Sequence, residues 1–122
     1  MRIAQLNNGV EVSDIDLFDD EACRELGRLV ARVAGLHQMS SAVAGALERH
    51  EPADVPAAVV KVLGTTTEGD IAEFAHLNDD GTAGASFSEL AAAAVDQRPG
   101  FTLRGGTNEV LHGVIARGLG LR

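Results

Sequence analysis

The sequence predicts an all-α fold, an antiparallel up-and-down bundle of four helices, on three observations. Apolar residues recur at three- and four-residue steps over most of the chain. The breaks between those stretches are short and rich in Pro, Gly, Asn and Asp. The apolar fraction of 45% is almost wholly aliphatic, with 3% aromatic residues and no Trp or Tyr. Such small side chains favour close helix packing over a β-sandwich. At 122 residues the chain makes one domain.

Residues 1–18 read as a flexible N-terminal segment and residues 19–122 as the helical bundle domain. Val10-Glu11-Val12-Ser13-Asp14-Ile15-Asp16-Leu17-Phe18 alternates like a short extended arm, but an isolated strand has no partner here. Asp14, Asp16, Asp19, Asp20 and Glu21 lack the central glycine and terminal glutamate spacing of a calcium loop. They read as a solvated leader whose charge favours the next helix's N-terminus.

The first helix runs from Asp19 or Asp20 to about His50, with Leu26, Leu29, Val30, Val33, Leu36, Val43 and Leu47 as its apolar stripe. Arg49 and His50 lie at its negative end, and His37 reads as a helix-surface or hydrogen-bonded interface histidine. Pro52 and Pro56 mark a turn and the first positions of a second helix, about residues 55–77, which carries Val59, Val60, Leu63, Ile71, Phe74 and Leu77. Gly64 and Thr65-Thr66-Thr67 lower its local propensity. After the loop Asn78-Asp79-Asp80-Gly81-Thr82-Ala83-Gly84-Ala85, the spacing Ser86-Phe87-Ser88-Glu89 predicts a capping box opening a third helix to about Asp96. Pro99 ends it, residues 101–104 form an extended link, and a fourth helix covers about residues 108–117. Val110, Leu111, Val114 and Ile115 are its buried face, and Gly118 and Gly120 stop it.

The formal charge of −8 leaves no basic stripe to neutralise phosphates, which excludes nucleic acid. Cys23 is the only cysteine, so neither an intrachain disulfide nor a cysteine metal site is available. No residues have the spacing of a metal centre or of a Ser/His/Asp hydrolase. No apolar run approaches a membrane span and the N-terminus lacks an apolar signal region, so a cytoplasmic protein is expected.

Chemistry concentrates at Arg104-Gly105-Gly106-Thr107-Asn108-Glu109. Paired glycines allow backbone conformations and close approaches that side chains block, and Thr107 or Asn108 can cap the helix that follows. Free N–H groups and the positive helix end then converge on one spot, which suits an anionic or polar ligand group.

The stretch from Phe101 to the Ala116-Arg117-Gly118-Leu119-Gly120-Leu121-Arg122 ending resembles the C-terminus of the acyl-CoA dehydrogenase family. There a Gly-Gly-Thr-(Ser/Asn)-Glu-(Ile/Val) segment opens the last helix of the C-terminal all-α domain, beside the FAD. Lys61-Val62-Leu63-Gly64-Thr65-Thr66-Thr67-Glu68 is similar to a packing helix of the same domain. The resemblance is good over residues 101–122, patchy over 26–77, and absent from the first twenty or so.

That resemblance implies α,β-dehydrogenation of an acyl-CoA thioester with FAD. It implies cofactor binding by Gly105, Gly106, Thr107 and Glu109, and a homo- or hetero-oligomer. The chain is too short for a complete enzyme of the family, so inactivity alone is expected, with other domains completing the FAD and thioester site. Where some members place the glutamate base in this loop, Gly105 stands, and a glycine abstracts no proton. Glu109, in a first helical turn, is favoured in its charged form, which lowers its basicity. His112 reads as a surface or subunit-contact residue. Phe74-Ala75-His76-Leu77-Asn78-Asp79-Asp80-Gly81 lacks the glycine pair of the family loop that reaches a neighbouring subunit's FAD. The competing reading is a cofactor-free helical dimerisation or partner-subunit module, in which the glycines only lead into a capped helix.

Overall fold

The computed structural model describes residues 20–121. The expected arm, the residue 1–18 segment and a cap at Asp19 lie outside them. The described residues are all-α, in five helices: α1 (Asp20–Glu48), α2 (Asp54–Leu77), α3 (Ala85–Asp96), α4 (Arg98–Leu103) and α5 (Asn108–Gly118).

α1 carries Asp20 and Glu21 in its first turn, where the helix dipole favours them. It closes as a Schellman turn: His50 takes a left-handed φ of 57°, and the Glu51 amide donates to Ala46 O at 2.9 Å. α2 crosses Gly64 and three threonines without breaking. The Thr66 and Thr67 hydroxyls donate back to Val62 O and Leu63 O within the helix, while the one Thr65 hydroxyl proton is shared among Lys61 O, Val62 O and the Asn108 side-chain oxygen. Packing on several sides then outweighs the weak propensity.

α2 is the hub of the molecule. α1, α3, α4 and α5 all pack against it, and the one other substantial contact is α3 with α4. Its buried residues are small: Ala58, Thr65, Thr67, Gly69 and Ala72. Side chains of that size let helix axes approach closely. Leu29 of α1, Ala53 and Ala91 complete the buried set, and no large side chain among the described residues is buried completely.

Three expectations change at the C-terminal half. The first concerns Pro99, which lies at the start of α4 instead of ending a helix. A proline there loses no hydrogen bond, since the first-turn amides have no partner to lose, and its fixed φ suits the helix. Residues 101–103 are therefore helical and Arg104 alone is extended. The capping box at Ser86 is the second, and it does not form. Gly84, at φ 94°, is the residue before α3 and makes no side-chain cap. Asp79 and Asp80 accept from the Gly81 and Thr82 amides, and this turn delivers the chain to Gly84 so that the helix begins at Ala85.

The third concerns the end of α5. Gly118 is still helical, and the stop is Gly120 at φ 78°, with the Leu121 amide on Ala116 O and the Gly120 amide on Arg117 O. Gly118 answers a different need: a Cβ there would collide with Val55 at the start of α2. Val110, expected inside, is 60% exposed, while Leu111, Val114 and Ile115 are half-buried.

Candidate functional site

The candidate site is the corner between α4 and α5. Gly105 and Gly106 turn the chain with φ of 72° and 96°, conformations that L side chains resist, and both glycines are exposed. A Cβ on Gly105 would meet only Lys61 Cε, at 3.7 Å, and one on Gly106 only the Leu111 side chain, from 3.5 Å. The outer face of the corner is thus open, with its floor made by a lysine stem and a leucine.

Thr107 is the residue before α5, extended at φ −69° and ψ 155°, and its hydroxyl accepts from the Val110 amide at 3.4 Å. Either Thr107 or Asn108 was eligible by sequence to cap this helix; Thr107 does so. Asn108 instead points back to α2, where its Oδ1 lies 3.2 Å from the Thr65 hydroxyl. The amides of Gly106, Thr107 and Asn108 form no hydrogen bond among the described residues and remain available at the positive end of the helix.

Glu109 sits in the first turn of α5, and its carboxyl is held below the ordinary carboxylate range. Its own backbone amide is the largest cause, followed by the Thr107 hydroxyl; desolvation opposes them, and the charge of His112 adds the smallest lowering. A carboxylate stabilised in this way is a poor proton acceptor, in line with its position at the helix N-terminus. His112 is exposed one turn further on, and His37 is exposed on α1.

The structure therefore brings Gly105, Gly106, Thr107 and Glu109 together and adds Lys61 and Arg98, to which the sequence reading gave no role in a site. Lys61 Nζ donates to Phe101 O at 3.3 Å, next to the corner. Arg98, at the head of α4, lies across Gly69 and donates to Glu73 at 2.8 Å. The four-residue step from Lys61 to Thr65 to Gly69 to Glu73 was the signal that these residues share one face. A groove of about 410 Å³ lies elsewhere, where the start of α1 meets the last turns of α2. It is lined by Glu21, Glu25, Asp70, Glu73, Phe74 and Leu77 and touches none of the corner residues. It offers carboxylates where the corner offers amides.

The expected glycine-poor stretch at Phe74 begins as the last turn of α2 and continues as the Asp79–Asp80 turn. No helix among the described residues is long and apolar enough to cross a membrane, and no three His, Cys, Asp or Glu side chains among them converge to hold a metal ion.

Comparison with known families gives a match to the acyl-CoA dehydrogenase C-terminal domain over residues 12–120. The match reaches well beyond the stretches where resemblance is visible by eye, taking in the third helix and part of the segment before α1. No curated protein and no solved structure gave a match. With described residues that are all helical, a glycine corner opening the last of their helices and a family match over nearly the whole length, this chain belongs to the acyl-CoA dehydrogenase family, as a C-terminal domain.

Proposed function

We propose that this domain contributes one wall of an FAD site in an acyl-CoA dehydrogenase-like flavoprotein that desaturates an acyl-CoA thioester between its α and β carbons. The observation that carries the reading is the open corner. Two exposed glycines held at positive φ leave room for a flat ring system, beside three amides with no internal partner. Bound FAD would supply the chemistry as hydride acceptor.

The chain's own residues bind and orient. Gly105 and Gly106 keep side chains out of the ring's way, and the Gly106, Thr107 and Asn108 amides donate to its polar edge. Glu109 holds the Thr107 hydroxyl and the first turn of α5 in place. With glycine at 105 and a weakly basic Glu109, the base that takes the α-proton comes from another domain. Exposed aliphatics on α1, α3 and α5 and just beyond α5, among them Val30, Leu90, Val110 and Leu119, give the remaining domains or subunits an area on which to close the site. The assembly is a homo- or hetero-oligomer of the cytoplasm.

By itself the domain binds no FAD and turns nothing over; a yellow, active isolated chain would contradict that. In the assembly that contains it, Thr107→Val with Glu109→Ala weakens FAD retention, and an unchanged flavin content would count against the corner. The same exposed aliphatics favour the alternative of a cofactor-free dimerisation or partner module. Flavin titration alongside sedimentation separates the two, since only the first reading links the corner to FAD.

A further inference from the structure

We infer that one stripe of α2, formed by Lys61, Thr65, Gly69 and Glu73, is the positioning device for the glycine corner; the inference rests on the flavin reading given above. These residues recur at four-residue steps and so lie in a row along the helix. Each meets the chain between Arg98 and Asn108. Glu73 takes the Arg98 guanidinium at 2.8 Å, and Gly69 lets it cross, since a Cβ there would lie 3.2 Å from Arg98 Nε. Lys61 holds Phe101 O at 3.3 Å, a carbonyl in the last turn of α4 that the helix itself leaves without a donor. Its stem runs beneath Gly105. Thr65, 7% exposed, sets its hydroxyl 3.2 Å from Asn108 Oδ1 at the first residue of α5.

The need for such a device follows from the packing. α4 and α5 are joined by residues 104–107 alone and do not pack substantially on each other; each packs on α2. Among the described residues no hydrogen bond ties α4 to α5 directly, and the two glycines of the corner are the most permissive residues available. The angle is set from α2, by Lys61 on one side and Thr65 on the other. A flavin bound against the glycines would depend on both, although neither need touch it.

Four variants test this. Lys61→Met keeps the stem and removes the ammonium, and Thr65→Val keeps the shape and removes the hydroxyl; Lys61→Arg and Thr65→Ser restore a donor. In the flavin-loaded assembly, FAD retention on dilution is expected to fall about fivefold to tenfold in Lys61→Met and Thr65→Val, the size of one lost hydrogen bond. The visible circular dichroism of the bound flavin is expected to change with it, and the two conservative variants to recover both. Wild-type retention and an unaltered flavin spectrum in both Lys61→Met and Thr65→Val would overturn the inference. Lys61 is half-buried and its loss does not threaten folding, so the test survives if Thr65→Val fails to fold.

Should the wild-type assembly take up no FAD, the flavin reading fails and the positioning role is judged on the chain alone. Amides 106–111 then exchange faster in Lys61→Met and Thr65→Val if the stripe sets the corner. Unchanged exchange overturns it.

Discussion

The two sides of α2 are built on different principles. Toward α1, two long helices meet through aliphatic side chains, yet Leu29 is the one buried residue of α1, and Leu26, Val30, Val33 and Leu47 stay exposed. Arg32 and Asp70 add an ion pair at 2.6 Å whose side chains are each more than a third exposed, so solvent screens much of its worth. Toward α4 and α5, Gly69 lies under Arg98, and Lys61 and Thr65 make hydrogen bonds to Phe101 and Asn108. The α1 side gains stability from area, while the α4 and α5 side gains position from close approach and directed bonds.

Substitutions sharpen that contrast. The largest loss is expected from Leu29→Ala, about 3 kcal/mol of unfolding free energy by urea titration, because it empties the one filled site of α1. Val30→Ala, one residue on and 61% exposed, is expected to stay within about 0.5 kcal/mol in the isolated chain. Comparable costs for the two would mean that α1 is not packed as described. On the other side, Gly118→Ala drives a methyl into Val55 and is expected to cost about 2 kcal/mol, with faster amide exchange in α5 and little change in α1.

A smaller effect tests the corner itself. Gly106→Ala has room for its methyl group but not for its backbone angle, so about 1 kcal/mol is expected, felt at residues 105–108 by amide exchange. A penalty spread over the whole domain would show that the corner is part of the core.

The smallest is the pH dependence of the α5 cap. The Glu109 carboxyl is lowered in the folded state, so its contribution is complete above its unfolded value, near about 4.3, and is lost as pH falls through the lower folded value. The Val110 amide resonance is expected to hold steady from neutral pH to about 5 and to move below about 4.3. Glu109→Gln should abolish that movement while leaving the acid response of Asp80, which is also lowered, by its bonds with Thr82.

Much of this was legible in the residues. The long apolar-periodic stretches located α1 and α2 to within a few positions, and the Gly-Gly-Thr junction located both the start of α5 and its cap. What periodicity does not report is which apolar residues have something to pack against. Leu63, Ile71 and Val110 fit the pattern and remain exposed, because the hub arrangement covers other faces. Pro99 was misread because its effect depends on whether it falls behind a helix or at the front of the next. The role of Gly118 could not be seen at all, since it arises from Val55, distant in sequence. Lys61 and Thr65 were visible as a pair one turn apart, but their partners Phe101 and Asn108 lie about forty residues away in the chain.

The central claim is that the turn at Gly105 and Gly106 receives the flavin, and amide hydrogen exchange at Gly106, Thr107 and Asn108 in the intact assembly, with and without FAD, tests it most directly. The account predicts that these three amides slow when FAD binds, while those in the middle of α1 do not. Equal rates at the three amides, with FAD demonstrably bound, would contradict it.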